Sequence, residues 1–440
     1  MRKQLVPLAA VFLLAAAACG STSGAGGDET SPATQQQTSA SDTPGPANTS
    51  DQEAPSGDPI VVGSTLSLTG AFGATGIIHK IAGEEFVDRL NANGGLLGRP
   101  VEWKVLDDES DASKVSQLYE RLISQDKVDL IMGPYATPNI LAAMPVAERH
   151  GYVLPQHTAV LAPQLTYSCQ FPAWSIGSRP NQFVPNELFD ALDSLPDKPA
   201  KVALVTSQSG SAAFVTDGYG DDKEGFTTIA PERGYQVVLN VHYPPTTTDW
   251  GPIATQVRDA KPDILINNSL GVDTVNLLTA MKQLGYTPPM TFSLFPAPGP
   301  LLGLGDLSQG LLSVSLFEPN DGLLSKLPAE ATDIAEEFTK RAKDEGVPYP
   351  VFETQAVASW NAWQILTDAV QGAQSTDGQT MCDYLHKEGA DTTFSGHLDF
   401  DPAKNNFWEP IQQLRQIQGD EFVVVWDKDI AAAPLQGPSS

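Results

Sequence analysis

Few side chains in this sequence are spaced for covalent chemistry. Ser209-Gly210-Ser211 sets two hydroxyls around a glycine, yet it lacks the Gly-x-Ser-x-Gly spacing that presents a nucleophilic serine on a strand-to-helix turn. The six histidines include no His-Glu-x-x-His pair; His79, His150, His242 and His386 are scattered. Asp107 and Asp108 are adjacent at the end of an expected strand, so they point in different directions and suit capping and solvating a turn better than sharing a proton or a metal. Three cysteines cannot build a zinc cluster, and no dinucleotide fingerprint occurs. The expectation is a protein without catalysis, cofactor or metal.

Polar groups placed to hold a ligand are easier to find. In the run Gly133-Pro134-Tyr135-Ala136-Thr137-Pro138-Asn139, Pro138 suits the first turn of a helix and Thr137 its N-cap. Exposed amides there, with the Thr137 hydroxyl, would suit an anionic group. The plainer reading, that Thr137 simply caps its own helix, is compatible with this one.

The elements that would carry such groups alternate between strand and helix. Strands are expected at 59–66, 101–106, 129–132 and 152–156, with helices at 77–91 and 112–125 between them. A second series offers strands at 201–206, 235–243 and 263–267 and helices at 221–230, 253–259 and 274–284. Lys127-Val128-Asp129-Leu130-Ile131-Met132-Gly133 is echoed by Lys261-Pro262-Asp263-Ile264-Leu265-Ile266-Asn267. The fold class is therefore α/β, with two similar Rossmann-like lobes built on parallel sheets. Segments 311–316, 354–373 and 421–426 are too few for a third lobe and should complete the first two, so that several crossings form a hinge. The expected division is 58–178 with about 298–395 in lobe 1, and 179–297 with about 396–434 in lobe 2.

Residues 1–18 read as a secretion signal: Arg2 and Lys3 precede an apolar stretch too short for a permanent membrane span. Cys19 follows Leu14-Ala15-Ala16-Ala17-Ala18, a pattern similar to the bacterial lipobox, in which the chain is cut before the cysteine and its thiol is diacylated. Residues 19–57 are rich in Ser, Thr, Gln, Gly, Pro and Ala, contain no aromatic residue, and read as a disordered tether. The expected location is the outer face of the cytoplasmic membrane, held by lipid. A formal net charge of -27 disfavours nucleic acid. Cys169 and Cys382 remain, either bridged in an oxidising compartment or as two buried thiols.

From Asp58 to about Trp426 the chain resembles the bacterial extracellular ligand-binding receptors of the leucine/isoleucine/valine-binding type, the substrate-capturing lipoproteins of ABC importers. The resemblance is carried by Leu68-Thr69-Gly70 with Phe72-Gly73, by Asn91-Ala92-Asn93-Gly94-Gly95-Leu96-Leu97-Gly98-Arg99, and by Asp107-Asp108 with Asp111. Gly133-Pro134, Tyr243-Pro244-Pro245-Thr246-Thr247-Thr248-Asp249-Trp250 and Lys261-Pro262-Asp263 continue it, and Phe394-Ser395-Gly396 with Asp399-Phe400-Asp401 completes it.

That resemblance implies a type I periplasmic binding protein: a monomer that closes its lobes on a small polar metabolite and presents it to permease subunits. A ligand-sensing lipoprotein of the same fold is the alternative, ahead of an enzyme or a structural envelope lipoprotein. It implies ligand contacts from Thr75, from Tyr135 and Thr137, and from the loop bearing His157, Ala159 and Leu161. A threonine commonly stands in relatives where Leu161 falls here, and leucine cannot donate that hydrogen bond. Asp273 matches the acid that receives a ligand ammonium, or else caps its own helix. Tyr219-Gly220 resembles an aromatic-glycine wall; if the long 207–217 loop shifts the register, Ser211 or Ala212 takes that place.

Overall fold

The computed structural model of the chain describes residues 54–409, 413–426 and 428–438. The expected signal, Cys19 and most of the tether lie outside the described residues.

The first series runs β1 (Ile60–Leu66), α1 (Gly73–Ala92), β2 (Val101–Asp107), α2 (Ala112–Ser124), β3 (Leu130–Ile131), α3 (Thr137–His150), β4 (Leu154–Gln156) and β5 (Gln170–Pro172). The apolar, β-branched run of β1 is almost wholly buried and lies between β2 and β3, parallel to both. β4 and β5 pair in parallel, and the Gly133 amide donates to the Pro155 carbonyl at 2.8 Å, joining this pair to the end of β3. Helix α1 presses on the turn that leaves β1: a Cβ on Gly76 would stand 1.9 Å from the Ser67 carbonyl oxygen, so only glycine permits the approach.

The second series is α4 (Pro180–Asp193), β6 (Lys201–Ser207), α5 (Gly210–Asp217), α6 (Phe226–Glu232), β7 (Gln236–Tyr243), α7 (Gly251–Ala260), β8 (Ile264–Gly271), α8 (Asp273–Gln283), β9 (Thr291–Pro296), α9 (Pro298–Leu302) and β10 (Leu312–Ser315). The chain continues through α10 (Asp321–Leu324), α11 (Glu330–Asp344), α12 (Thr354–Ala373), α13 (Gly378–Glu388), β11 (Ala390–Thr392) and β12 (Gly396–Leu398). It ends in the antiparallel pair β13 (Gln413–Gln418) and β14 (Glu421–Trp426). The second sheet has the order β14-β13-β10-β9-β8-β6-β7.

The internal echo is structural. Lys127 and Lys261 both adopt positive φ, 54° and 47°, and the aspartates that follow perform the same task. Asp129 Oδ2 accepts the Val61 amide at 2.8 Å, and Asp263 Oδ2 accepts the amides of Ala200 and Lys201 at 2.9 and 2.8 Å. In each sheet a carboxylate thus staples the start of a neighbouring strand.

Strand pairing moves the expected lobe boundaries. β10 bonds to β9 and β13, so 312–315 belongs to the second sheet although 298–395 was expected in lobe 1. Conversely, Asn405 and Asn406 donate to carbonyls of Ala162, Ser168 and Gln170, which keeps the chain beyond 396 with the first lobe as far as Trp408. Periodicity marks an element but not its partner, so strand pairing and side-chain bonds assign these ends. The chain passes between sheets after β5, after β10 and between Trp408 and Gln413. The first and third passages are tied together: Trp408 Nε1 donates to Pro172 O at 2.9 Å, and Ser175 Oγ to Trp408 O at 2.6 Å.

Two further expectations change. Residues 207–217 are not one long loop, because 210–217 is helix α5; the helix expected at 221–230 begins at Phe226, after a loop in which Gly218 and Gly220 have φ of 78° and 60°. Asp107 does hold the 67–70 turn, accepting the Leu68 and Thr69 amides. Asp108, by contrast, is buried rather than solvated and accepts from Thr65 Oγ1 and Ser67 Oγ at 2.9 and 2.6 Å.

Cys169 and Cys382 form a disulfide that joins the segment before β5 to α13 across 213 residues of sequence. Reduction, or Cys382→Ser, should lower the unfolding free energy by about 2–4 kcal/mol. Urea denaturation with and without reductant measures this, and a Cys382→Ser protein indifferent to reductant completes the check.

Candidate functional site

The carboxyl ends of both sheets open onto one narrow cavity of about 10 Å³, the place where open α/β sheets put their ligands. That volume is about one water, so the two walls stand close together here. Tyr135, Ala136 and Thr137 border it from the β3–α3 turn, Thr158 and Val160 from the segment after β4, and Gln355 from the first turn of α12. Ser211 of α5, Leu270 of β8 and Phe295 of β9 form the opposite wall. Trp174, just past β5, closes one end with its ring 5.0 Å from that of Phe295 in an edge-to-face arrangement.

The β3–α3 turn is strained. Ala136, not Thr137, is the N-cap of α3, and it holds φ 73° with no side-chain cap. Thr137 is therefore in the first turn and does not cap its helix: its Oγ1 accepts the amide of Val160 at 3.0 Å. A non-glycine residue in this conformation costs about 1–3 kcal/mol and persists only where packing enforces it. Here it turns the start of α3 toward the cavity.

Tyr135 and Thr137 line the cavity, whereas within the 157–161 run it is Thr158 and Val160, not His157, Ala159 or Leu161, that border it. An extended segment alternates its sides, and Thr158 and Val160 face inward. His157 and Ala159 are buried behind them, and the Ala159 amide donates to Gln156 Oε1 at 3.0 Å. Thr75 is buried and does not border the cavity. Leu161 and Tyr219 border a second opening of about 270 Å³ with Thr137, Gln164 and Gly210. There Gln164 Nε2 donates to the Tyr219 hydroxyl at 2.9 Å, a bond from one lobe to the other. Asp273 does not border the cavity; its Oδ2 accepts the Tyr243 hydroxyl at 2.9 Å, and burial raises its pKa to about 6.

Sequence reasoning missed Thr158, Val160, Trp174, Leu270, Phe295 and Gln355, and named Ser211 only as an alternative. Nothing in their local sequence separates them from ordinary core residues. Only the meeting of two sheets does.

Behind the wall His79 and His157 stack with ring centroids 4.4 Å apart, and His79 Nε2 lies 3.0 Å from Gln355 Oε1. Burial holds His79 well below the usual imidazole range, helped by His157, and lowers His157 to about 3. The Pro134 carbonyl counters this for His157 but is not placed for a regular hydrogen bond. Both rings are neutral at physiological pH.

The described residues hold no cluster of three or more groups able to bind a metal ion, and no described helix is long and apolar enough to cross a membrane.

In the unfolded chain His157 takes a proton near pH 6.5, whereas in the folded chain it does so only near 3. The unfolded state binds more protons in between, so this term is fully present above pH 6.5 and is lost as pH falls. His157→Gln should accordingly lose less stability than wild type between pH 7 and pH 5, by about 2 kcal/mol, as read by denaturant titrations at the two pH values.

The family model described as periplasmic binding protein matches residues 59–420. Leu/Ile/Val-binding protein homolog 8 of Brucella abortus is 27% identical over 239 residues, 52% of this chain and 54% of the relative; homolog 7 is 24% identical over 247 residues, 53% and 58%. The chain thus spans about half the length of the curated relatives it matches. Two solved structures share the fold. One is the branched-chain amino acid transporter substrate-binding protein of Streptococcus pneumoniae in complex with isoleucine, with 17% identity, TM-score 0.64, and coverage of 83% of this chain and 98% of that one. The other is an ABC transporter solute-binding protein of R. palustris in complex with benzoate, with 18% identity, TM-score 0.66, and coverage of 86% and 98%. The chain belongs to the periplasmic binding protein family.

Proposed function

We propose that this protein is the extracytoplasmic solute-capturing component of an ABC importer. It encloses a small solute, such as an amino acid, an amide or a carboxylate, between its lobes and presents the closed form to permease subunits. The observation that carries this reading is a cavity made by the carboxyl ends of both sheets, with hydroxyls of Thr158 and Ser211 that have no protein partner. A solute touching both walls binds the closed arrangement better than the open one and shifts the population by that difference.

In this reading Tyr135 and Thr137 touch the solute, Leu161 and Tyr219 guard the mouth, and Thr75, His157 and Ala159 support the wall from behind. Cleavage before Cys19 and acylation of its thiol would hold the protein at the outer face of the cytoplasmic membrane. Residues 19–57 would then let it reorient toward the permease as a monomer.

Calorimetry against a broad metabolite panel, with small-angle scattering of the free and loaded protein, tests the proposal; no binding and no compaction across the panel would reject it. Tyr219→Phe, which removes the acceptor from Gln164, should speed solute release about two- to fivefold, equivalent to about 0.5–1 kcal/mol for an exposed hydrogen bond, without changing the melting temperature.

A further inference from the structure

The cavity is rich in donors and contains no charged side chain. Thr158 Oγ1, Ser211 Oγ and Trp174 Nε1 have no hydrogen-bond partner, although these residues are only 7%, 1% and 1% exposed. Two helices of opposite lobes begin at the cavity. α3 contributes Thr137, its first residue, and α5, eight residues long, contributes Ser211, its second. Both N-termini bring unpaired amides and the positive end of a helix dipole to the same small volume.

No carboxylate lines the cavity to answer a positive charge. Asp273 faces Tyr243 and lies outside the lining. Glu353, two residues from Gln355, has Oε2 3.3 Å from Arg415 Nη1, and its Oε1 accepts the Gln355 amide at 3.0 Å. His79 and His157 are buried but do not border the cavity. The remaining lining is the rings of Tyr135, Trp174 and Phe295 with Val160 and Leu270. An ammonium enclosed here would lose its water without gaining a counter-charge, whereas a carboxylate would gain donors from both lobes.

From this distribution we infer the solute class: a small monocarboxylate with a flat aromatic or branched apolar body and no α-ammonium group. The carboxylate bridges the Ser211 and Thr158 hydroxyls, and the body lies among the three rings, in an arrangement whose walls stand several ångströms further apart than in the present one, where the cavity has room for about one water. The inference deepens the solute-capture reading and rests on it.

The test uses matched pairs that differ only in the amine: 3-phenylpropanoate against phenylalanine, and 4-methylpentanoate against leucine, measured by calorimetry on the mature protein. The amine-free member should bind at least about tenfold more tightly in each pair. Ser211→Ala and Thr158→Val should each weaken 3-phenylpropanoate about tenfold while leaving its neutral amide within about twofold. Tighter binding of the aminated members would overturn the solute class and leave solute capture standing. Failure of every compound, including the broad panel, would overturn solute capture itself. Undiminished carboxylate affinity in both variants would overturn the hydroxyl assignment, and the matched pairs decide the class on wild-type protein even where a variant does not fold.

Discussion

A buried guanidinium holds the second sheet to the start of α12. Arg415 of β13 places Nη1 2.7 Å from Glu318 Oε2 and 3.3 Å from Glu353 Oε2, and its Nε donates to Ser313 Oγ at 3.0 Å. Phe422 covers its face at 4.1 Å, and the Tyr349 hydroxyl donates to Glu318 Oε1 at 2.6 Å. Glu318 lies just past β10, where the chain leaves the second sheet, and Glu353 is the N-cap of α12. Burial raises the pKa of both carboxylates against the opposing pull of Arg415, and Arg415 is itself raised by the two acids. Removing one member of such a buried cluster costs about 3–5 kcal/mol, because an uncompensated charge stays behind. The cluster therefore pins the start of α12 to the second sheet at the passage between lobes.

What α12 carries makes that pin consequential. The helix is buried on nearly every side, with Trp360 and Trp363 packed on Phe86 of α1 and Ser359 Oγ bonded to the His79 carbonyl at 3.0 Å. Its first turn sends Gln355 to the cavity and to His79, which stacks in turn on His157 and Tyr135. A continuous set of contacts runs from the second sheet through Glu353 and Gln355 to the wall of the first lobe. The strained Ala136 and the buried Asp108 belong to the same rigid frame: one aims a helix start inward, and the other locks the turn on which α1 sits. Each wall is thus held in place by contacts within the protein.

The alternation of strands and helices, the duplicated Lys-x-Asp entry to β3 and β8, and the 354–373 helix were all legible because they depend on local pattern. Hydrophobic period and turn residues act over a few positions, and the chain declares them directly. The echo even extended to function within the fold, since Asp129 and Asp263 staple equivalent strand ends. Tyr135 and Thr137 were legible as cavity residues for a similar reason: they follow a short strand and open a helix, which is where such sites occur.

Other features depended on distance in space. The facing parity of residues 157–161 turns on one residue of phase, and both phases read equally well as an apolar run. Whether Cys169 meets Cys382, whether Asp273 looks toward the cavity or toward Tyr243, and which sheet receives β10 are matters of pairing between segments far apart in sequence. The sequence by itself thus determined the α/β class, the two-part repeat and the turns able to bind. Only the tertiary structure decided which side chains share the cavity and which charges are already paired, because burial and partnership arise when remote elements pack together.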